Sequence, residues 1–273
     1  MNVACLVPSY NHPLLSARAI QSLLDKNFIP SDIFLVHDGP EQSCIQKLKS
    51  DFPSINHLVT PKNLGFSGAV NCGLISAMKK KYQWYFIMSN DAQLLEFVER
   101  PPHPGLVAVK VMGRKYQLVE SLGGVLNFFT GSLKHLKVAS RKIKFYQKFY
   151  VPGAAFLIHH SVLETVGLLD ENLFIYFEDV EYSLRVQKKM LPIYLFEGVC
   201  VSHQGRKTTG GNSLYTTYYF QRNRKKVCIK YGYWWSKIIF FVIFFSQNLI
   251  KLIRLKKNKD NKRFNYLLKS LID

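Results

Sequence analysis

The chain has 273 residues, 48% of them apolar and 20% charged, which supplies a packed core and excludes a disordered chain. Its formal charge of +19 is unevenly placed: sixteen of the 37 Lys and Arg follow His203, but only two of the 18 acids, Asp260 and Asp273. The five cysteines are odd in number and scattered, with no Cys-x-x-Cys pair, which argues against a zinc or dithiol motif and predicts buried thiols in a reducing cytosol.

Met1 leads straight into an apolar run, Asn2 to Val7, with no basic leader before it, so the main domain is expected to be cytoplasmic. That run reads as a buried strand ending at Pro8, and Leu14 to Leu24 carries helical spacing. Ser31 to His37 is a second strand, Glu41 to Lys49 a helix and Ile55 to Val59 a third strand. A Gly-containing loop around Gly65 then opens a helix to about Lys80, and Trp84 to Met88 is a fourth strand. Such alternation implies parallel pairing with both faces covered. Ligands of such a sheet sit beyond the carboxyl ends of its strands, which places Pro8 to Asn11 (with Tyr10), Asp38-Gly39, Asn63 to Gly68 and Asn90-Asp91 on one rim. Past Asp91 the runs at Gly105 to Val111, Gln117 to Asn127 and Tyr150 to His159 read as a mixed-sheet extension. A helix from about Glu178 to Lys189, two short strands to Ser202, a polar loop from Arg206 to Ser213 and a helical, basic remainder complete the chain.

Several of these positions suit particular chemistry. Asp38, after an apolar strand and before Gly39-Pro40, can accept from a base N–H or ribose hydroxyls, although Asp-Gly is also ordinary turn chemistry. Asn63-Leu64-Gly65-Phe66-Ser67-Gly68 offers backbone N–H groups near a helix start, for a phosphate or sugar hydroxyl; equally, Ser67 could simply cap the helix. Asp91 at a strand end can ligate Mg²⁺ or Mn²⁺, which favour oxygen, or serve as a cap. Asp170 to Glu181 sets five carboxylates among aromatics. The acids there suit a first helical turn, and a carboxylate beside Tyr176 and Phe177 is partly desolvated, as a general base requires, making Asp179 the candidate base. His203 can add an imidazole to a metal site or be structural, and Arg222 can bind phosphate or lie on a solvated helix face.

Taken in order, these segments resemble the family 2 glycosyltransferases of the GT-A fold, in particular the bacterial rhamnosyltransferase-like branch that builds surface polysaccharides. The resemblance runs from Val3 to about Lys230: Val7-Pro8-Ser9-Tyr10-Asn11, then Asn63 to Asn71, then Gly153 to Ile158 through Val166 to Glu171 to Phe174 to Glu181, closed by His203. It implies an α/β fold, a Rossmann-like mixed sheet flanked by helices over 1–212; the basic helical tail over 213–273 is read from its own residues. It implies Asp38 for the base or ribose, Asp91 for the metal, His203 near it, Asp179 as base, and Gly153 and Glu178 in the substrate-binding set. The implied reaction is a single inverting displacement from a nucleoside-diphosphate sugar to a glycan or lipid-linked acceptor. Ser89 stands where the family usually has Asn or Asp, which leaves Asp91 as the main acidic ligand.

In the tail, Trp234-Trp235 introduces eight apolar residues, Ile238 to Phe245, then Gln247-Asn248 and a mixture of Leu, Ile, Lys and Arg. Lys237 and the Gln-Asn pair interrupt the roughly 20 apolar residues a span needs. An interfacial amphipathic helix at the cytoplasmic face of the inner membrane therefore fits better than a span or a helix docked on the domain's own core. Two other readings are an inactive glycosyltransferase-like scaffold and a nucleic-acid-binding protein using Tyr215, Tyr218, Tyr219 and Phe220. The latter leaves Glu178, Asp179 and His203 without a role.

Overall fold

The computed structural model describes residues 2–39, 41–113, 118–138, 143–203 and 213–273, so the predicted polar loop lies outside the described residues except for Ser213. Its first half alternates as expected. Strands β1 (Val3–Ser9), β2 (Ile33–His37), β3 (Asn56–Val59) and β4 (Trp84–Met88) are interleaved with helices α1 (Pro13–Leu24), α2 (Gln42–Asp51) and α3 (Gly65–Met78). The strands pair in parallel in the order β3-β2-β1-β4. Every residue of β1 is buried because its two faces both meet helices. Val3, Cys5 and Val7 join Ala19, Ile20 and Leu23 of α1 in one core, while Ala4 and Leu6 join Val70 and Leu74 of α3 in another.

Beyond β4 the direction changes. Strand β5 (Ala92–Phe97) is followed by β6 (Leu106–Met112), β7 (Val119–Ser121), β8 (Gly124–Asn127), β9 (Ser132–His135), β10 (Gln147–Tyr150) and β11 (Ala155–His159). Helices α4 (His160–Val166) and α5 (Glu178–Lys188) and strand β12 (Ile193–His203) complete this half. β11 lies antiparallel between β4 and β6, β12 runs parallel to β6, and β5 closes the edge antiparallel to β12. A second sheet, β10-β8-β9, is antiparallel throughout.

Four expectations change here. The two short strands before Ser202 are one strand, bent by an irregularity between Phe196 and Cys200. The run from Gln117 to Asn127 is two strands, parted at Gly123 with φ of +116°. Tyr150 ends β10, and β11 begins only at Ala155. Finally, α3 starts at Gly65 itself with Leu64 as its cap residue, and Ser67 is buried inside the helix. Of the five cysteines, none is paired, and Cys44 and Cys72 are half-buried rather than buried.

The tail forms three helices, α6 (Leu214–Tyr231), α7 (Trp234–Lys257) and α8 (Asn261–Ile272). Ser213 caps α6 by accepting from the Thr216 N–H. Val227 and Cys228 of α6 and Phe240 and Phe244 of α7 share a core with Phe177, Val180 and Leu184 of α5 and with Leu126 and Phe128 around β8. At about 1.5–3 kcal/mol for each large side chain fully buried, this third core fastens the tail to the rest of the chain.

Candidate active site

The rim at the carboxyl ends of β1, β2 and β4 is assembled by backbone turns. Asp38 follows β2 and is almost fully buried, and its Oδ1 accepts from the Leu64 N–H at 2.7 Å and the Thr60 hydroxyl at 3.0 Å. Burial raises its carboxyl above the ordinary range, against those hydrogen bonds, which lower it. Gly39 follows with φ of +58°, and a Cβ there would stand 2.1 Å from the Asn63 nitrogen, so the turn is packed directly on the loop before α3. Gly65 has φ of +74°, and its Cβ would meet the Phe174 carbonyl oxygen at 2.4 Å. The start of α3 and the segment before α5 thus touch through backbone.

Asp91, after β4, and His203, at the end of β12, come together from positions 112 residues apart, with His203 Nε2 3.4 Å from Asp91 Oδ1. The Ser89 hydroxyl donates to the same oxygen at 2.7 Å. Burial alone would lower the His203 pKa, but the hydrogen bond to Asp91 and the charges of Asp91 and Glu120 carry it above its ordinary value. Among the described residues there is no group of three or more His, Cys, Asp or Glu suited to a metal. A carboxylate oxygen and an imidazole nitrogen nevertheless make a donor pair of the right chemistry for Mg²⁺ or Mn²⁺, which commonly completes its shell with water and substrate phosphates.

Between the short 3₁₀ turn Glu171–Leu173 and α5 the backbone is strained: Phe174, Tyr176 and Phe177 have φ of 63°, 66° and 69°. Left-handed backbone at non-glycine residues costs about 1–2 kcal/mol each. The segment is held by Asn223 of α6, fully buried, whose amide donates to the carbonyls of Leu173 at 2.7 Å, Ile175 at 2.9 Å and Tyr176 at 2.7 Å. It delivers two acids to the first turn of α5. Asp179 accepts from the Gly153 N–H at Oδ2 and from the Val180 N–H at Oδ1, both at 2.7 Å. Burial pushes its carboxyl up to about 6 against those bonds. Glu178, whose Oε2 has no hydrogen-bond partner among the described residues, is raised well above the ordinary range by burial and by the charge of Asp179. The two acids are adjacent and buried, so ionising one opposes ionising the other.

Two cavities result. The first, about 330 Å³, is lined by Pro8 and Tyr10 after β1, Asp38 after β2, and Asn63, Gly65 and Phe66 at α3. Asn90 and Asp91 after β4 also line it, with Phe174 and Tyr215 on the opposite side. The second, about 490 Å³, is lined by Gly153, Glu178, Asp179 and His203, together with Glu120, His135, Tyr150, Thr216 and Phe220. Asp91, Ser89, Phe66 and Ile175 line both, so the acids at 38, 91 and 179 lie along one continuous cleft.

Three predicted positions lie outside both linings. Asn11 accepts from the Glu41 N–H, and Gly68 faces Leu64 across the first turn of α3. Arg222 donates to the Asn172 carbonyl and packs on the rings of Tyr218 and Tyr219. Arg224 is likewise spent inside the fold, on the Thr130 carbonyl and the rings of Phe240 and Phe244. Residues that sequence reasoning did not single out are Asn223, Thr60 and the Glu120–His135 side of the second cavity. A lone Asn in a basic helix and a Thr at a strand end carry no local signal.

A family model described as Glycosyl transferase family 2 matches residues 4–167. No curated protein sequence matches the chain. Solved structures do: GalNAc-T7 with UDP, GalNAc and Mn²⁺ has a TM-score of 0.65 at 15% identity over 98% of this chain. The chain spans 56% of the length of that protein. Staphylococcus aureus TarS 1-349 in complex with UDP-GlcNAc has a TM-score of 0.60 at 14% identity, covering 99% of this chain and 80% of that one. The mannosyltransferase PcManGT from Pyrobaculum calidifontis, with GDP-Man and Mn²⁺, has a TM-score of 0.55 at 12% identity, covering 99% and 74%. At these identities the likeness is one of fold, a GT-A-like curled mixed sheet flanked by helices.

Proposed function

The chain belongs to glycosyl transferase family 2, and from that premise we propose that it transfers a sugar from a nucleoside-diphosphate donor to a hydroxyl acceptor, with a divalent cation and inversion at the anomeric carbon. The observation that carries the reading is the pair of cavities joined at Asp91, with Asp38 in one and Asp179 in the other. The first cavity suits the nucleotide: Asp38 offers a carboxylate to polar edges, and Phe66 and Tyr10 offer ring surface, while the N–H groups of Leu64, Gly65 and Ser67, which the sequence offers to a phosphate, are already donated to Asp38, Asn63 and the Phe174 carbonyl. Asp91 and His203 would hold a cation at the junction, which supplies positive charge against the departing diphosphate. Asp179, ionised above about pH 6, accepts the proton of the attacking hydroxyl in the second cavity. The two backbone N–H groups on its carboxylate fix its orientation. Direct displacement needs no covalent sugar intermediate, and no second nucleophile is assigned.

The test is a panel of nucleoside-diphosphate sugars, rhamnosyl, hexosyl and N-acetylhexosaminyl, with Mg²⁺ or Mn²⁺ and a readout of nucleoside diphosphate release. The rhamnosyl donor is included on the motifs from Gly153 to Glu181. Release with at least one donor, lost in Asp91→Ala and Asp179→Ala, is expected. A folded wild type inert with every donor and both metals would turn the reading toward an inactive scaffold. RNA retention without turnover would turn it toward nucleic acid.

A further inference from the structure

By length and composition α7 could cross a membrane, but its packing gives it another disposition. Ser236, Phe240, Phe244 and Asn248, spaced by four, are fully buried against the rest of the chain, and the Arg224 guanidinium lies 5.1 Å from the Phe244 ring. A spanning helix would strip that face from the third core. The opposite face is a continuous stripe of Trp234, Ile238, Val242, Phe245, Leu249 and Ile253, all exposed, with Trp234 at 76% and Val242 at 65%. Such a stripe beside a basic face is what a helix lying in a bilayer surface presents.

On the inner side of α7, where Lys251 and Leu255 continue the row of Phe244 and Asn248, a cavity of about 350 Å³ lies between α6, α7 and α8. Its charged residues are Lys251, Arg254 and Arg263, with no carboxylate among the described residues lining it, and Leu255 and Leu267 supply an apolar wall. Arg263 also meets Asp260 at 3.6 Å. Thr216 and Phe220 line both this cavity and the one holding Asp179. Three cations beside two threonines match a phosphate or diphosphate.

We propose that α7 rests lengthwise in an anionic bilayer through its exposed stripe, and that the cavity on its inner side, between α6 and α8, takes the phosphate or diphosphate of the lipid that carries the acceptor. The acceptor sugar then reaches Asp179 past Thr216 and Phe220. This rests on the glycosyl-transfer reading for the need of an acceptor. The basic tail, fourteen Lys and Arg against two acids over 213–273, supplies the charge complementarity to the lipid.

The test is flotation of the full chain, with no sugar donor, on phosphatidylcholine vesicles with and without phosphatidylglycerol. Wild type should float with the anionic vesicles and only weakly with the neutral ones. Lys251→Ala/Arg254→Ala should bind the anionic vesicles roughly 30-fold more weakly, near 1 kcal/mol for each cation. Lys251→Arg should retain binding. Val242→Ser/Ile253→Ser should weaken binding to both vesicles about tenfold or more. All four substituted positions are exposed, and unchanged melting checks that each variant folds. Absence of wild-type flotation, or equal flotation of wild type and Lys251→Ala/Arg254→Ala, overturns the proposal. So does stabilisation by inorganic pyrophosphate without flotation, which would assign the cavity to a soluble phosphate. Because flotation is read without donor, its failure leaves glycosyl transfer standing, and failure of the donor panel leaves the flotation result standing.

Discussion

Replacing Asp179 by Asn separates the catalytic role of this carboxylate from its effect on folding. The ordinary aspartate value of 3.8 rises to about 6 in the folded chain, chiefly through burial. At 1.36 kcal/mol per pH unit, the difference sets an upper bound of about 3 kcal/mol on what ionised Asp179 takes from stability. The sign follows from the direction of the shift. A folded-state value above the unfolded one means the penalty is absent below about pH 4, grows as pH rises, and is complete above about 6. Asn is neutral throughout, but its amide nitrogen cannot accept from the N–H of Gly153 or Val180, a cost of about 1–3 kcal/mol that does not change with pH. Asp179→Asn should therefore melt below wild type near pH 4, and between pH 4 and pH 8 its melting point should rise relative to wild type by roughly 5 °C at the bound. Nucleoside diphosphate release should fall by about 10²–10⁴-fold, the usual worth of a general base. Paired melting curves across pH and turnover with the best donor decide the matter. Wild-type turnover in a folded Asp179→Asn, or a melting difference that does not change with pH, refutes the reasoning.

Other expectations follow from the same geometry. In the wild type, turnover should rise about tenfold per pH unit below pH 6 and level above it as Asp179 ionises, read with saturating donor and a fixed metal concentration. Gly65→Ala forces a Cβ to within 2.4 Å of the Phe174 carbonyl oxygen at φ of +74°, and should destabilise by about 2 kcal/mol or more in a urea titration. Asn223→Ala leaves the carbonyls of Leu173, Ile175 and Tyr176 without their shared donor; a loss of about 1–3 kcal/mol and faster hydrogen exchange over residues 174–181 are expected. Asp38→Asn should raise the donor KM about tenfold with little change in kcat, because its carboxylate sits in the first cavity, apart from Asp179.

Much of the first half was legible because its signals are local. Ile33 to Val36 and Trp84–Met88 are unbroken apolar runs because both their faces are covered, and the acids and amides that follow those strands fall on one rim by the geometry of a parallel sheet. The second half was less legible. Ala92–Phe97 is an edge strand with a half-buried pattern, so it lacks such a run, and the short strands from Val119 to Tyr150 are separated by turns that composition does not locate.

The sequence by itself determined which segments bury both faces, which carboxylates stand at strand and helix ends, and that the tail is basic with an apolar stripe, since each of these is written in residues a few positions apart. Only the tertiary structure decided that Asp91 meets His203, that Asn223 braces the left-handed residues before Glu178, and that the inner face of α7 is already occupied. Those contacts join residues far apart in the chain, and strand register and helix packing, which set them, are fixed only when the whole core closes.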